Sequence, residues 1–528
     1  MRKLSKWTFM ALVVAMPGSM IACGGDEDDD TPGTGGSSGS AGKGGSGGSA
    51  GKGGSSGSAG KGGSSGSAGK GGSSGSSGDA GSAGSAGTGE AGTGNEGGTG
   101  VGGSAGSGAE GGTDAVGGAG AGGEGNPPVE CDLSGETKER ETLPAVIDAD
   151  LELDNTKDYF IDGTVLIADG ATLTIPKCTR LEGSPAPDPG ILVAQRGGRI
   201  EAIGTADEPI LFTSSQAAGD RAAGQWGGVV LLGQAPITRA GGAAESIYEG
   251  LTDEAFTYGG TDEADDSGTL QYVRIEFGGF EIIPDKEVNG LSMAGVGSGT
   301  TIDHVMVSNT LDDCFEWWGG TVTADHLVCN NPGDDYFDGD EGWQGGGEFW
   351  FGRRAQFAIS SDDPNGLEQD SINSGETPRS NWAFSNVTLC GTGEDSGAPS
   401  LSFGMVLREL VTGSIDNLSL TGFDYGIDTR NAFVTGDVTI ENSSIWGLVN
   451  TLDENAAETD AADDDMGFVD ASIFSEEATN DEPDPGPFTA EECLEIAGPA
   501  AAVLESDTGA FTGGAEWIEG AWVNWEEE

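Results

Sequence analysis

Two consecutive segments of the chain read TIDHVMVSNTLDDCFE (301–316) and TADHLVCNNPGDDYFD (323–338). Shifted by 22 residues, the segments carry the same residue at seven of sixteen positions. The chain's two histidines, His304 and His326, fall one period apart. A period near 22 residues is about one coil of a parallel β-helix, whereas a propeller blade repeats at about 40 residues. The repeat therefore predicts an all-β parallel β-helix, a solenoid of stacked coils.

Strand alternation within the first segment predicts which side chains face the interior. Val305 and Val307 alternate with His304 and other residues, and the second segment repeats this pattern. We expect the valines to point inward and the histidine outward, because successive side chains of a strand point to opposite faces. Asn309 should lie over Asn331 at a bend, where side-chain amides can bond one another.

Short strand-like runs separated by Gly, Asn and Asp turns continue on both sides of the repeat. Typical runs are TVLIA (164–168), RIEAI (199–203), YVRIEF (272–277) and VTIE (438–441). Such runs without intervening helical periodicity predict a β-helix over about residues 129–450. Residues 451–528 contain an acidic insertion, a short predicted helix (490–505) and the closing run AFTGGAEWIEGAWVNW (510–525). We expect a C-terminal helix and strands that cap or pack on the coils.

Five further segments carry a family resemblance. They read GILVAQRGGRIEAIGTADEPILFTSS (190–215), QWGGVVLLGQAPI (225–237), YGGTDEADDSGTLQYVRIEFGG (258–279), DDCFEWWGGTV (312–322) and DDYFDGDEGWQG (334–345). Their order resembles a family of bacterial cell-surface lipoproteins with a right-handed parallel β-helix of the pectate-lyase type, over about residues 151–525. The resemblance implies the fold and a place at the cell surface, but no settled activity.

The N-terminus has the layout of a lipoprotein signal peptide. Arg2, Lys3 and Lys6 precede the apolar run TFMALVVAM, and Ala22 stands just before Cys23. This pattern is typical of an export signal and resembles a lipobox, in which the cysteine is acylated. We therefore expect a signal peptide at 1–22 and a lipid anchor at Cys23 that holds the protein on the bacterial outer membrane or cell surface. The alternative is a secretory peptide with an incidental cysteine.

Residues 23–128 consist almost entirely of Gly, Ser, Ala and Thr, with lysines at regular intervals. Such a composition cannot bury a core, so the segment is predicted to be a disordered linker. About 100 residues of Gly-rich coil have a root-mean-square reach of roughly 50–60 Å. This linker would separate a membrane anchor from the β-helix.

The charge of the chain excludes several classes of partner. It carries 88 acidic and 23 basic residues, a formal net charge of −65. Nucleic acids and anionic lipid surfaces both require a cationic surface. Because the chain is strongly acidic, we expect no nucleic-acid binding. Divalent cations are the partners that are compatible with its charge.

Acidic residues recur in pairs at the end of each repeat segment. Stacked coils lie about 4.8 Å apart, and carboxylates at that spacing repel one another unless a cation, a proton or a basic group lies between them. A dense group of hard oxygen ligands suits Ca²⁺. The predicted calcium ligands are Asp312, Asp313, Asp334, Asp335, Glu316 and Asp338. The alternative is that these residues form turns, with side chains that accept backbone N–H groups.

Tryptophans and histidines beside the acidic pairs suggest two further sites. Trp317, Trp318 and Trp343 could form a platform for stacking a sugar, although tryptophan beside strands more often packs in a core. His304 and His326, with Asp303 and Asp325, supply enough ligands for zinc. Neighbouring outward positions should nevertheless point in nearly parallel directions, which is unfavourable for tetrahedral coordination. We therefore expect a ladder of surface residues there.

An enzymatic function is the alternative to a binding function. The run Asn309-Thr310-Leu311-Asp312-Asp313-Cys314 resembles fragments of polygalacturonase motifs, but no Gly-His-Gly or Arg-Ile-Lys segment follows. A polysaccharide lyase would need Ca²⁺ and a basic residue. The residues for a lyase or glycoside hydrolase of acidic polysaccharides would be Asp312, Asp313, Asp334, Asp335, Arg353 and Arg354. We favour a non-catalytic scaffold that binds glycan, matrix or an envelope protein.

Six cysteines remain after Cys23, in a compartment that permits disulfides. Six cysteines allow fifteen complete connectivities. We expect Cys131–Cys178 near the start of the β-helix and Cys390–Cys493 near its end. The alternative is that several are free buried thiols.

Overall fold

The structure is a computed structural model of the chain. It describes residues 131–284, 286–354, 364–372, 374–394, 401–431, 434, 436–449, 451–453, 473–475, 490–494 and 509–525. The predicted signal peptide, Cys23 and the linker lie outside these residues. No described helix has the length and apolar composition needed to cross a bilayer.

The regular secondary structure of the described residues is almost entirely β-strand. The strands are β1 (Glu139–Thr142), β2 (Val146–Ile147), β3 (Leu151–Glu152), β4 (Lys157–Ile161), β5 (Thr164–Ile167), β6 (Thr172–Pro176), β7 (Arg180–Gly183), β8 (Ile191–Ala194), β9 (Arg199–Ile203), β10 (Ile210–Ser214), β11 (Gly228–Leu232), β12 (Ser246–Ile247), β13 (Thr257–Tyr258), β14 (Gly268–Glu276), β15 (Glu281–Ile283), β16 (Lys286–Glu287), β17 (Leu291–Ala294), β18 (Thr301–Ser308), β19 (Phe315–Trp318), β20 (Ala324–Asn330), β21 (Phe337–Asp340), β22 (Gly346–Arg353), β23 (Asn365–Gln369), β24 (Asn381–Cys390), β25 (Phe403–Leu407), β26 (Thr412–Thr421), β27 (Tyr425–Thr429), β28 (Val438–Glu441), β29 (Ser443–Trp446), β30 (Thr451–Asp453) and β31 (Ile473–Ser475). One α-helix, α1 (Ala490–Leu494), and 3₁₀ turns at Glu254–Phe256, Gly509–Phe511 and Glu516–Ile518 complete the elements.

The strands stack in parallel as the coils of a β-helix, which confirms the predicted fold. One sheet of 11 strands forms the first face, in the order β2-β5-β8-β11-β17-β19-β21-β23-β25-β27-β30. The other large sheet has 16 strands and covers two faces. Its second face contains β3, β6 and β9, and its third face contains β1, β4, β7 and β10. From β14 to β26, single long strands run through both faces, and in the next coil β28 and β29 form the two faces separately.

Each long strand bends at one residue with a left-handed backbone. In β14, Gly268–Gln271 pairs with β9, and Val273–Ile275 pairs with β10. Tyr272 lies between these parts with φ of 52°. The equivalent residues of the following coils also have positive φ, namely His304, His326, Phe349, Asn386 and Asn417. We call this column of residues the corner column.

The interior of the coils is filled by the inward side chains that alternation predicts. Val305 and Val307 belong to the main core and are at most 1% exposed. Aromatic side chains stack from coil to coil, with Phe315 and Phe337 at a centroid distance of 5.5 Å. Asn331 donates a hydrogen bond to Asn309 at 3.4 Å, as expected for the bend.

Two insertions cover the outside of the first face over its early coils. The first insertion contains β12 and β13, and the second is the β15–β16 hairpin. Outward apolar residues such as Val230 and Trp318 pack against Tyr248 and Tyr258 of the first insertion. These early coils of the first face are therefore an apolar interface.

Residues 509–525, which we call the C-terminal segment, cover the outside of the third face. Phe511 and Trp522 pack against Met306, Val328 and Phe351, which point outward from that face. The prediction of strands here is wrong, because the segment contains two 3₁₀ turns and no strand. The alternation of its apolar residues reflects contacts of an irregular chain with the sheet beneath. The described helix α1 also covers only five residues of the predicted 490–505.

Three disulfides join the cysteines of the described residues. Two are the expected pairs, Cys131–Cys178 and Cys390–Cys493. The third pair, Cys314–Cys329, lies in the main core and was not anticipated. Parallel pairing also continues past residue 450, since β30 pairs with β27 and β31 pairs with β29.

Replacing Trp522 by Ala should lower the free energy of unfolding by about 3 kcal/mol or more, because a fully buried indole is lost and a cavity remains. Trp522 is 0% exposed in the cluster beneath the C-terminal segment. Urea denaturation measures the change. Ile203→Ala is the control, since Ile203 is 48% exposed and should change stability by no more than about 0.5 kcal/mol. If both variants lowered the free energy of unfolding equally, the packing of Trp522 beneath the C-terminal segment would be contradicted.

Candidate functional site

The outside of the first face becomes acidic beyond the insertions. Ser292 is followed in register by Glu316, then Asp338, then Glu368. Alternation makes these residues point outward, because Phe315 and Phe337 beside them fill the core. Parallel pairing in register thus places one carboxylate directly over the next. We call Glu316, Asp338 and Glu368 the acidic column.

The turn before each first-face strand adds carboxylates to this column. Carboxylate oxygens of Asp313, Glu316 and Asp338 all lie within 4.8 Å of one another. Oxygens of Asp312, Asp313 and Asp334 form a second group within the same limit. The two groups share Asp313, so five of the six predicted calcium ligands are brought together.

The sixth predicted ligand, Asp335, belongs to a ladder of turn hydrogen bonds. Asn289 Oδ1 accepts from the backbone N–H of Asp313 at 3.2 Å. Asp313 Oδ1 accepts from the backbone N–H of Asp335 at 2.8 Å, and Asp335 Oδ1 accepts from that of Asn365 at 2.6 Å. Asp313 therefore takes part both in the turn hydrogen bonds and in the two carboxylate groups, whereas Asp335 lies in neither carboxylate group.

Burial makes the ionised state of these carboxylates costly. Asp313 is 7% exposed and Glu316 is 9% exposed. Burial raises the pKa of Asp313, and the nearby carboxylates of Asp312 and Asp335 raise it further. Burial and the Asp338 carboxylate raise the pKa of Glu316 in the same way. Asp338 also has a raised pKa, from burial and from Glu368.

Hydrogen-bond partners at the acidic column are few. Asn289 donates to Glu316 through its side-chain amide. The buried Oδ1 atom of Asp338 makes no hydrogen bond within the described part of the chain. A buried carboxylate oxygen without a donor is destabilising unless a cation or proton satisfies it.

Arginine residues neutralise the column farther along the first face. Arg408 contacts Glu368 through Nη2 at 2.9 Å and Asp370 through Nε at 2.6 Å. Arg430 contacts Asp428 at 2.5 Å in the next coil. The first face therefore changes from apolar, through acidic, to a region of ion pairs.

Of the two arginines predicted for a lyase, one lies on the third face and the other lies beside the acidic turn. Arg353 points outward from the third face, donates to Asn330 at 2.7 Å and stacks at 4.4 Å from the ring centroid of Trp525. Arg354 is 2% exposed and donates to the backbone oxygens of Pro332 and Asp334. Arg353 thus lies beneath the C-terminal segment, and Arg354 supports the acidic turn from behind.

The tryptophan platform, the less favoured of the two interpretations of these residues, is not formed. Trp317 and Trp343 are 0% exposed and stack on each other in the main core at 4.6 Å. Trp318 points outward but is 7% exposed, because Tyr248 of the first insertion packs against it. The prediction of a sugar-stacking surface is therefore wrong, since alternation and the insertion cover all three rings.

Two residues of the acidic region were missed by sequence reasoning. Glu368 continues the acidic column, and Asp370 lies on the outward side next to it. Asp338 and Glu368 are paired although they are 30 positions apart in the chain. This longer coil breaks the 22-residue repeat, so a fixed shift does not align them. The alternating run NGLEQD (365–370) is the signal that could have revealed them.

Comparison with known proteins identifies the family. The family model described as "Pectate-lyase like beta helix domain" matches residues 145–487. No curated protein matches the chain. One solved structure is similar, the enzymatically active domain of tailspike protein 2 of bacteriophage CBA120, with 14% identity and a TM-score of 0.25. The match covers 58% of this chain and 42% of the tailspike chain. Since the family model covers well over half of the sequence, the chain belongs to the pectate-lyase-like β-helix family.

Proposed function

We propose that this chain is a non-catalytic scaffold of the bacterial cell envelope that binds calcium on the first face of its β-helix. Through that face it would hold a glycan, a matrix component or another envelope protein. The observation that carries the proposal is the convergence of Asp313, Glu316 and Asp338, whose carboxylate oxygens lie within 4.8 Å of one another.

Calcium fits this group of ligands for reasons of charge and donor type. Ca²⁺ takes six to eight oxygen ligands, in flexible geometry, from carboxylates, carbonyls and water. The shared residue Asp313 would allow one ion, or two adjacent ions, to contact both carboxylate groups. A cation would offset the repulsion that raises the pKa values of these residues, and it would supply a partner for Asp338 Oδ1.

A calcium ion on an outward face also provides a means of binding acidic polymers. The ion would reverse the local sign of charge on an otherwise acidic molecule. Water ligands of Ca²⁺ are exchanged readily for carboxylate or hydroxyl oxygens of a partner. The proposed partner is therefore a polyanionic glycan or an acidic protein surface of the envelope.

The alternative function is a polysaccharide lyase or glycoside hydrolase. Either reaction requires an acid or base beside the carboxylates. Arg353 lies on the third face against Trp525, and Arg354, although it lies beside the acidic turn, is buried and donates to the backbone oxygens of Pro332 and Asp334. These contacts favour the scaffold over the lyase.

Attachment to the membrane is proposed from the sequence. Cys23 follows a signal-peptide pattern, and the Gly-rich residues up to 128 would act as a spacer. Three acyl chains at one cysteine provide enough apolar contact for stable anchoring without a spanning helix. A tethered scaffold would meet its partner at the cell envelope.

Calcium at a concentration about a hundred times its Kd should stabilise the native chain by about 2.7 kcal/mol. Asp338→Asn and Glu316→Gln should remove most of this gain, because each replaces an anionic ligand. Differential scanning calorimetry with added Ca²⁺ measures the shift in melting temperature. The matched control is Glu152→Gln, at an exposed position of β3, which should retain the full gain.

Two results would contradict the scaffold proposal. One is that Ca²⁺ does not stabilise the native chain, or that it stabilises both site variants as much as it stabilises the native chain. The other is cleavage of pectin, alginate or a related polymer by the native chain that disappears in Asp313→Ala.

Stability without calcium should depend on pH in a direction set by the raised pKa values. Groups with a raised pKa stabilise the folded chain below their ordinary values, 3.8 for Asp and 4.5 for Glu, and this contribution is lost as the pH rises through the raised values. In EDTA, the native chain should therefore lose stability relative to the Glu316→Gln/Asp338→Asn double variant as the pH rises above the ordinary values of these groups. Added Ca²⁺ should remove this loss of stability of the native chain relative to the double variant. If the stability of the native chain relative to the double variant did not change with pH, the raised pKa values could not explain it.

Cys23→Ser should release the protein from membranes, because the acylated residue is lost. Fractionation of cells expressing native and variant chains, together with metabolic labelling by a fatty acid, checks this outcome. Ser19→Ala, in the same signal segment, is the control and should leave labelling unchanged. Membrane retention and labelling of Cys23→Ser would rule out this anchor.

A further inference from the structure

The corner column brings the chain's two histidines together on the outside of the coils. His304 and His326 have left-handed backbones, with φ of 55° and 53°. Such values are uncommon for residues other than glycine, although asparagine, aspartate and histidine adopt them more often than most. Asn386 and Asn417 occupy the same column farther along, with φ of 58° and 66°. The left-handed backbone is therefore a general feature of this corner, and it fixes where the two histidine side chains leave the strands.

Both histidine rings point to one oxygen atom. Asp303 Oδ1 lies 2.8 Å from His304 Nδ1 and 2.8 Å from His326 Nδ1. The rings stack at a centroid distance of 4.2 Å with an angle of 19° between their planes. The two Nδ1 atoms therefore approach the same oxygen, although the ring planes stay nearly parallel, as the strand positions predict. Two nitrogens and one carboxylate oxygen are thus close enough to be ligands of a single ion.

The spacing of the three atoms suits a transition-metal ion. Zn–N and Zn–O bonds are about 2.0–2.2 Å long, so two atoms 2.8 Å apart can bind one ion at an angle of roughly 85°. Widening each nitrogen–oxygen separation by about 0.6 Å would give the tetrahedral angle. Side-chain rotation alone can supply such a movement. An ion in this position would take the place of the two N–H protons.

Neighbouring residues hold the carboxylate and shield one side of the rings. Asp303 Oδ2 accepts a hydrogen bond from Gln271 Nε2 at 2.9 Å, which orients the carboxylate. Trp522 lies edge-on to His304 at 5.2 Å.

The site also remains open to solvent. The side chains of His304, His326 and Asp303 are 13%, 26% and 24% exposed. An ion and its water ligand can therefore enter, while the C-terminal segment limits access from one side. Partial exposure with three protein ligands is typical of sites that keep an open coordination position.

We propose that Asp303, His304 and His326 form a binding site for a divalent first-row transition-metal ion, with water as a further ligand. Imidazole ligands favour Cu²⁺ and Zn²⁺ over Ca²⁺. This site is thus chemically distinct from the acidic column on the first face, and it does not depend on the calcium proposal.

Electron paramagnetic resonance with Cu²⁺ tests the proposal on the mature full chain. Excess Ca²⁺ is added first, to occupy the carboxylates of the first face. One equivalent of Cu²⁺ should bind and show superhyperfine coupling to two nitrogens. A spectrum with oxygen ligands alone would overturn the proposal, even without any variant.

Variants of the corner column assign the ligands. His304→Asn and His326→Asn use the residue that occupies this column at 386 and 417, so the left-handed backbone is tolerated. Each should weaken Cu²⁺ binding by at least about tenfold and remove one nitrogen coupling. Phe349→Asn changes the same column next to His326 but removes no ligand, and it should bind as the native chain does. Unchanged affinity in both histidine variants would overturn the proposal.

Asp303→Asn separates the role of the carboxylate from that of the rings. This variant should keep both nitrogen couplings but bind Cu²⁺ more weakly by about tenfold or more, because the anionic ligand is lost. Far-UV circular dichroism of each variant verifies that the coils are intact. Native affinity in Asp303→Asn would refute the three-ligand site.

Discussion

The whole β-helix depends on parallel hydrogen bonding between coils that remain in register. Each strand bonds the equivalent strand of the next coil, and equivalent side chains then lie about 4.8 Å apart. Register carries Leu291 to Phe315 and then to Phe337 in the core. The same register carries Ser292 to Glu316 and Asp338 on the outside. A single rule of stacking therefore produces apolar columns inside and columns of like charge outside.

Stacking favours apolar and aromatic columns but penalises charged ones. Rings such as Trp317 and Trp343 gain contact area when they overlap. Carboxylates such as Glu316 and Asp338 repel one another and their neighbours, and this repulsion raises their pKa values. Arg408 reduces the repulsion where it bonds Glu368 and Asp370. At Asp313 and its neighbours, the proposed calcium ion would reduce the repulsion in the same way as that guanidinium group does.

The sequence best predicted which residues of neighbouring coils are in register where the two coils have the same length. The 22-residue shift aligned His304 with His326 and Asp313 with Asp335, and these positions are in register. Between Asp338 and Glu368 the coil lengthens, so local spacing no longer indicated which residues meet. The exposure of Trp318 depends on Tyr248, far away in the chain, and no local pattern predicts such a contact. The convergence of two rings on Asp303 arises from backbone dihedral angles, which residue spacing does not reveal.

The C-terminal segment also affects how the protein can fold. Its contacts join residues very far apart in sequence, as between Arg274 and Ala521, which are separated by 247 positions. Contacts between residues so far apart in sequence form late in folding, because a long loop must close first. The coils can therefore assemble one on another while the third face still lacks its cover. An exported chain of this kind would keep an apolar, aggregation-prone strip of Met306, Val328 and Phe351 uncovered until its last residues have crossed the membrane.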